Sequence, residues 1–252
     1  MLEIKNLTKT YRMHGAGCCD AVSNVSFSLP EQGICALVGE SGCGKSTLAR
    51  LLTGLEAPSS GEVLLDGKPL SRKRKADRLH LAAAIQLVLQ DGKSSMNPRF
   101  TAYETIAEPL RNLFSLSKPE EKERVETLLE RMELPQSTAR KKTAELSGGQ
   151  QKRVCIARAL AAAPRYILFD ESLSGLDVIL RKAILELLIK MQREENCAYL
   201  FITHEMEVAL YLSDQIFVMK DGAMVESCLW NKDITVFQHP YTKQLLHASH
   251  IL

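Results

Sequence analysis

The chain contains the stretch Gly39-Glu40-Ser41-Gly42-Cys43-Gly44-Lys45-Ser46-Thr47, whose glycines, lysine and hydroxyl match the phosphate-binding pattern G-x-x-x-x-G-K-[ST]. An apolar run over residues 34–38 precedes it, and leucines follow at helical spacing, so the sequence predicts a strand, this loop and a helix. Glycines let backbone N–H groups turn toward an anion, and a helix N-terminus adds positive potential. We therefore predict a nucleotide site in which Lys45 reaches the β- and γ-phosphates and Ser46 is a ligand of Mg²⁺. The flanking strand and helix favour this interpretation over a turn that merely joins them.

A second feature is an apolar run, residues 166–169, that ends in the carboxylates Asp170 and Glu171. The run is long enough for a central strand. Mg²⁺ prefers one or two carboxylates together with water and phosphate, so Asp170 is a candidate for holding the metal through its shell. Glu171 is then the candidate general base that orients the water attacking the γ-phosphorus. Taken alone, the two acids could equally form a turn that caps the next helix, and the phosphate loop favours the nucleotide site.

A third feature is the stretch Leu146-Ser147-Gly148-Gly149-Gln150, which precedes an alanine-rich helical pattern that stops at Pro164. Ser147 is predicted to be the N-cap of that helix, and a cap alone would need no ligand. A capped N-terminus with two glycines also exposes backbone donors to a phosphate. Because the chain already has one phosphate loop, a second anion-binding turn makes sense if it closes over a nucleotide held by another subunit.

With these neighbours, Leu-Ser-Gly-Gly-Gln resembles the signature of ATP-binding cassette (ABC) ATPases, and the resemblance extends along the whole chain. It implies that Tyr11 stacks on adenine, that Gln90 is the glutamine of the coupling loop and a further magnesium ligand, and that His204 is a switch histidine at the γ-phosphate. It also implies that Asp177 lies in a dimer-contacting loop. By itself, a histidine after a strand usually makes only local hydrogen bonds, and an exposed tyrosine is usually a surface residue without a binding role. The nucleotide of the opposite subunit would be contacted by Ser147, Gly148, Gly149 and Gln150.

The same resemblance implies an α/β fold, a P-loop NTPase of the ABC nucleotide-binding type with an antiparallel β subdomain and an inserted helical subdomain. Alternation around Val25 and the turn signal Asp66-Gly67 fit the β layer. A capping-box pattern at Ser117 with Glu120, followed by apolar residues at helical spacing, fits the helical part. We expect one domain over residues 1–252, with the helical subdomain at about 91–163 and a C-terminal extension at about 228–252.

Charge and cysteine content favour a cytosolic protein that does not bind nucleic acid. The 252 residues carry 32 Lys+Arg against 30 Asp+Glu, so no general attraction to nucleic acid or acidic lipid is expected. The basic run over residues 72–75 is interpreted as a solvated face in preference to a phosphate or lipid contact. The seven cysteines are odd in number and lack C-x-x-C spacing, which is typical of reduced thiols. There is no signal-peptide pattern and no apolar run of spanning length, so any membrane role must come through a partner.

Two further stretches narrow the subfamily. Residues 90–99 resemble the Q-D-x-x-x-S-x-N-P-R of peptide and nickel importers, and residues 239–243 resemble their H-P-Y-T-[KR]. Most cassettes have proline at the position of Ser172, and many peptide-type subunits have a C-terminal cysteine cluster that this chain lacks. In both features the chain resembles nickel-type subunits more closely. No iron–sulfur centre is expected. A metal site at His239, His247 and His250 is disfavoured because the spacing matches no common ligand pattern.

The expectation from the resemblance is an ATPase subunit, using ATP and Mg²⁺, that powers an importer of nickel or another metal or metal chelate. An importer of di- or oligopeptides is the alternative. A soluble ABC ATPase of translation or DNA repair fits less well because the chain has one signature and one phosphate loop, and Glu171 and His204 disfavour a non-hydrolysing switch. The implied partners are a second ABC ATPase subunit, permease subunits and, indirectly, an extracytoplasmic solute-binding protein. The implied location is peripheral, at the cytoplasmic face of the cell membrane.

Overall fold

A computed structural model describes residues 1–13, 17–90, 95–195, 197–249 and 251. Residues 91–94 of the importer-like stretch and His250 of the disfavoured metal site lie outside this description. The strands in the described ranges are β1 (Leu2–Met13), β2 (Gly17–Leu29), β3 (Gly33–Val38), β4 (Ser60–Leu65), β5 (Lys68–Pro69), β6 (Ile85–Val88), β7 (Tyr166–Asp170), β8 (Ala198–Thr203), β9 (Gln215–Lys220) and β10 (Ala223–Leu229).

The α-helices in the same ranges are α1 (Lys45–Leu52), α2 (Lys75–Ala84), α3 (Ala102–Leu113), α4 (Lys118–Arg131), α5 (Gly148–Ala161), α6 (Val178–Glu194), α7 (Met206–Leu212) and α8 (Pro240–Ala248). Short 3₁₀ helices cover Gln136–Arg140, Thr143–Glu145 and Ile234–Val236. No helix in the described part of the chain is long and apolar enough to cross a lipid bilayer.

The larger sheet has the strand order β10-β9-β3-β8-β7-β6, and all its strands are parallel except β10, which pairs antiparallel with β9. The strands predicted over residues 34–38 and 166–169 are confirmed as β3 and β7, which flank β8. Because parallel strands end at the same edge of a sheet, the loops that follow β3, β6, β7 and β8 meet there. The topology thus gathers the phosphate loop, Gln90, the two carboxylates and His204 at one edge.

The smaller sheet is antiparallel, with the order β2-β1-β4-β5, and it packs against α1. Asp66 and Gly67 join β4 to β5 with φ angles of 53° and 73°. Positive φ at both central residues is the geometry of a type I′ hairpin turn, which the Asp-Gly pair predicts. The apolar face of this sheet shares one core with the leucines of α1, namely Leu48, Leu51 and Leu52.

Helices α3, α4 and α5 pack together in an apolar core that includes Ile106, Leu129 and Val154 and is continuous with the larger sheet at Phe169. The capping box at Ser117 and Glu120 is present at the start of α4, as the sequence predicts. At the other end of α4, Arg131 pairs with Glu194, the last residue of α6, and with Glu195, the residue that follows it. This helical part follows β6 and precedes β7 in the chain, so it is inserted between two neighbouring strands of the larger sheet.

The C-terminal region begins with the hairpin of β9 and β10. After it, α8 packs against the central strand β3 in a third apolar cluster. From the segment that follows β10, the cluster contains the buried side chains of Phe237, Tyr241 and Leu246. The last segment therefore lies against the strand that leads into the phosphate loop.

Candidate functional site

The loop between β3 and α1 has a backbone that only glycine allows at key positions. Gly44, the residue before α1, has φ 105°, and a Cβ there would lie 2.0 Å from the carbonyl oxygen of Ala21. A Cβ at Gly39 would lie 2.2 Å from the carbonyl oxygen of Met219. Gly42 has φ 85° but faces open space. The glycines thus permit a close approach of the loop to β2 and β9.

Lys45 is buried inside this loop, with 4% of its surface exposed. Its Nζ donates to the carbonyl oxygens of Gly39 at 2.7 Å and Glu40 at 2.8 Å. These partners are neutral, so the ammonium charge is not cancelled by a carboxylate in its hydrogen bonds. A loop that holds an uncancelled cation beside the N-terminus of α1 attracts an anion.

The other loop residues surround this cation. Cys43 is buried with its Sγ 3.8 Å from the Nζ of Lys45. Burial raises the pKa of the Cys43 thiol, and the Lys45 ammonium opposes that rise. Ser41 is exposed, while Ser46 and Thr47 are half-buried in the first turn of α1. The first-turn N–H groups of a helix have no partner within the helix and are available to a phosphate.

Ser46, at the start of α1, lies beside Asp170, at the end of β7. The Ser46 hydroxyl donates to Oδ1 of Asp170 at 3.1 Å, and Asp170 is 8% exposed. Burial is the largest cause of a raised pKa at Asp170, and the charge of Glu171 adds to it, whereas the Ser46 hydrogen bond lowers it. Oxygen donors of these two kinds are what Mg²⁺ prefers, so the pair fits a magnesium ion.

Glu171 and His204 meet where β7 and β8 end. The Nδ1 of His204 lies 3.4 Å from Oε1 of Glu171. Glu171 has φ 44°, a left-handed conformation that is unusual for a residue with a side chain, and its N–H donates to the carbonyl of Ile202. Such strained conformations concentrate at functional sites. The structure therefore brings together the predicted base and the predicted switch histidine.

The side chain of Gln90 contacts the turn after Glu171. Its Nε2 donates to Oγ of Ser174 at 3.1 Å, and that hydroxyl donates to the carbonyl of Glu171 at 2.7 Å. Among the hydrogen bonds of the described residues, Gln90 is thus joined to Ser174 and not to Ser46 or Asp170. A magnesium ion would be bound by the amide oxygen Oε1 of Gln90, an atom that this hydrogen bond does not use.

Tyr11, the predicted adenine platform, is half-buried on β1. Its hydroxyl donates to Glu56, and the Nζ of Lys9 lies 5.1 Å from the centre of its ring. Burial is the largest cause of a raised pKa at the Tyr11 hydroxyl, Glu56 adds to it, and the side chain of Thr47 lowers it. The ring is therefore held beside the end of the phosphate loop.

The signature stretch forms the N-terminus of α5. Ser147 Oγ accepts from the N–H of Gln150 at 3.3 Å, and Gln150 Oε1 accepts from the N–H of Ser147 at 3.2 Å, so the predicted cap is present as a capping box. Ser147 and Gly148 are exposed. No hydrogen bond among the described residues joins residues 147–150 to the loop at 39–47.

The signature adjoins the predicted dimer-contacting loop. A Cβ on Gly149 would lie 2.9 Å from Cδ2 of Leu180, so the starts of α5 and α6 touch. Asp177 caps α6 by accepting from the N–H of Leu180 at 2.9 Å. The next two residues, Val178 and Ile179, are 72% and 83% exposed. The two loops thus form one surface on the outside of the chain, with two apolar side chains on it.

The role of Lys152 is not predicted by any pattern in the sequence. This lysine is buried in α5, and its Nζ donates to the carbonyls of Leu89 and Gln90, each at 3.1 Å. It therefore ties the signature helix to the backbone at Gln90. In the sequence it is one of several charged residues after the signature, and nothing local distinguishes it.

A phosphate loop after β3, paired acids at the end of β7 and a histidine after β8, the strand between those two, define a P-loop ATPase. The family model described as "ABC transporter" matches residues 22–174, more than half of the chain. The nickel import ATP-binding protein NikE of Brucella suis biovar 1 (strain 1330) is 40% identical over 252 residues, which cover 98% of this chain and 94% of that protein. NikE of Escherichia coli (strain K12) is 42% identical over 214 residues, covering 85% and 80%. The chain belongs to the ABC transporter family and is one of its ATP-binding, ATP-hydrolysing cassettes.

Solved structures agree with this assignment. The dimeric post-hydrolysis structure of the ATP-binding cassette MJ0796 with ADP and Pi has a TM-score of 0.83 and 32% identity, covering 92% of this chain and all of that one. CbiO1 of Clostridium perfringens, part of the ABC transporter complex cbiONQ, has a TM-score of 0.81 and 28% identity, covering 98% and 94%. The predicted fold class, an ABC cassette with a β subdomain and helical insertions, is confirmed.

Proposed function

We propose that this chain is the ATP-hydrolysing subunit of an importer of nickel or a nickel chelate. The observation that carries the proposal is the 40% identity to a nickel import ATP-binding protein over 98% of the chain. The sequence features at residues 90–99 and 239–243 are shared with peptide importers, so peptide import is the outcome that an experiment has to distinguish. The residues of a nucleotide site do not contact the transported solute, so they do not determine which solute is imported.

In the proposed reaction, ATP binds with its phosphates on the amides of residues 39–47 and its adenine on the ring of Tyr11. Lys45 is already buried in the loop and would bind the β- and γ-phosphates. Mg²⁺, when bound, neutralises charge on the phosphates, and Ser46, Asp170 and Gln90 are the residues that would hold it. Glu171 would orient and polarise the attacking water, and His204, 3.4 Å from it, would contact the γ-phosphate.

The site is proposed to need two cassettes. The exposed Ser147 and Gly148 have no hydrogen bond to the phosphate loop of their own chain among the described residues, which fits a role on the nucleotide of a partner cassette. Gly149, Gln150 and Asp177 lie on the same surface. The partner would be a second ABC ATPase, identical or different, and the pair would dock on permease subunits at the cytoplasmic face of the membrane. An extracytoplasmic solute-binding protein would deliver the cargo to those permeases.

The test uses an organism that encodes this chain and a deletion strain of it from which only this gene has been removed. Uptake of radioactive nickel and growth on peptides as the sole amino-acid source are measured after complementation with the wild-type chain or with the Glu171→Gln variant. We expect nickel uptake to be lost, restored by the wild type and not by the variant, while peptide growth is unchanged. Normal nickel uptake with lost peptide growth would replace the nickel proposal with peptide import. If both remain normal, the chain does not drive either importer.

A further inference from the structure

The H-P-Y-T stretch at residues 239–242 has no role in the reaction described above, yet its tyrosine reaches the nucleotide site. The hydroxyl oxygen of Tyr241 accepts a hydrogen bond from the N–H of Glu40 at 3.1 Å. Glu40 is the second residue of the phosphate loop, 201 positions away in the sequence. Tyr241 is 4% exposed, so its ring is buried between α8 and the loop.

This hydrogen bond and one made by Lys45 hold the two edges of a single peptide group. The peptide that joins Gly39 to Glu40 presents its carbonyl to the Nζ of Lys45 at 2.7 Å and its N–H to the hydroxyl of Tyr241 at 3.1 Å. A rotation of the peptide plane would break both bonds at once. The position of the Lys45 ammonium is therefore linked to the hydroxyl of Tyr241 through one rigid planar unit.

The segment around Tyr241 is itself held firmly. His239 caps α8 by accepting from the N–H of Tyr241 through Nδ1 at 3.2 Å, and Pro240 occupies the first helical position, where proline is favoured. Glu226 on β10 accepts from the N–H groups of Gln238 at 2.6 Å and His239 at 3.0 Å. The Nζ of Lys220 lies 4.8 Å from the centre of the Tyr241 ring. Together, these contacts hold the backbone and the ring that carry the Tyr241 hydroxyl.

We propose that Tyr241 is a positioning residue of the nucleotide site and that, through it, the C-terminal segment at residues 237–246 sets the affinity for nucleotide. The hydroxyl holds the Gly39–Glu40 peptide in the orientation in which its carbonyl places the Lys45 ammonium. Coupling of this kind is reciprocal, so bound nucleotide also stabilises the segment. The inference rests on the proposed ATP site, and the test below separates the two.

The decisive variant is Tyr241→Phe, which keeps the ring and its packing and removes only the hydroxyl. Tyr103→Phe is the control, because Tyr103 is half-buried and likewise loses one hydrogen bond, to Glu121 in the helical part of the chain. The Kd for ADP is measured by titration calorimetry, and KM and kcat are measured for ATP hydrolysis with any partner cassette present. We expect Tyr241→Phe to raise Kd and KM about 3- to 10-fold, the effect of one hydrogen bond, with kcat changed less than about twofold. Tyr103→Phe should leave all three constants at the wild-type values.

A second variant and a second measurement separate positioning from folding. Glu226→Ala releases the backbone of residues 238 and 239 without touching the loop, and we expect it to raise the Kd for ADP in the same direction. Hydrogen exchange of residues 237–246 should slow when ADP is added to the wild type and slow less in Tyr241→Phe. If Tyr241→Phe binds ADP with the wild-type Kd or more tightly, the inference about Tyr241 is wrong, and the proposed function is unaffected. A wild-type chain that binds no nucleotide overturns the proposed function with it.

Discussion

Two buried charges in the candidate site have no compensating charge in their hydrogen bonds. Lys45 is bonded to two neutral carbonyls, and Asp170 accepts from a neutral hydroxyl. Burying a charge without a full partner is costly, so such residues are kept where a ligand completes them. A phosphate would complete Lys45, and a divalent cation would complete Asp170. The two buried charges therefore destabilise the nucleotide-free protein and, for the same reason, favour the binding of ATP with its metal ion.

The first prediction separates binding from chemistry. Lys45→Ala removes the buried ammonium, and we expect it to abolish measurable ATP binding in a filter or calorimetric assay. Glu171→Gln keeps the shape and the contact with His204 but removes the general base, so ATP should still bind while hydrolysis falls about 10²- to 10⁴-fold. Near wild-type hydrolysis by Glu171→Gln would show that another group activates the water.

The second prediction concerns pH and Asp170. Burial raises the pKa of this carboxyl above its ordinary value of 3.8, so the ionised form destabilises the nucleotide-free fold. That penalty is complete above the raised pKa and disappears as the pH falls toward the unfolded value. We expect Asp170→Asn to raise the Tm at neutral pH, by about 2–4 °C for each kcal/mol relieved, and the gain to vanish near about pH 4.

The control for that experiment is Asp77→Asn, because Asp77 also accepts from a serine, Ser71, but lies on α2 outside the site. The Tm of the Asp77→Asn variant should not show the increase at neutral pH that we expect for Asp170→Asn. Asp170→Asn should also weaken Mg²⁺ binding about 10- to 100-fold in the presence of ATP. A stabilised variant that kept its magnesium affinity would remove Asp170 from the metal site.

Single elements could be predicted from the sequence where their signals are local. The capping box at Ser117, the N-cap at Ser147, the turn at Asp66-Gly67 and the strand that ends at Asp170 each involve residues within a few positions of one another. Local signals of this kind depend on backbone geometry that the same residues supply. This is why the starts of α4 and α5 were predicted correctly, while the bounds of the helical subdomain remain a prediction.

The third prediction tests whether the N-terminus of α5 is only a cap. Ser147→Ala removes the cap, which typically costs about 1 kcal/mol, so the Tm should fall by about 2–4 °C. Ser147→Asp keeps a good capping oxygen but places a negative charge where the partner's phosphate is proposed to bind. We expect this variant to keep the wild-type Tm and to lose ATP hydrolysis. Full hydrolysis by Ser147→Asp would leave the serine with a capping role alone.

At the scale of the whole molecule, the contacts that the sequence could not reveal are those between distant segments. Gln90 and Ser174 are 84 positions apart, and Lys152 reaches the backbone of Gln90 across 62. No local pattern encodes such pairs, because they exist only after the parallel sheet has brought its strand ends together. The motifs identified the participants in the site, and the topology of the fold determines which of them touch.

The last prediction is that hydrolysis needs two chains. The exposed signature at Ser147, the loop at Asp177 and the apolar pair Val178 and Ile179 form one outward surface, which a partner cassette would cover. Glu171→Gln holds ATP without consuming it, so ATP should double the mass of this variant in light scattering, and adding Ser147→Asp should prevent it. The specific rate of wild-type hydrolysis should rise with protein concentration. If the partner is a different cassette, both effects appear only when it is added, and a monomer whose specific rate is independent of concentration would contradict the prediction.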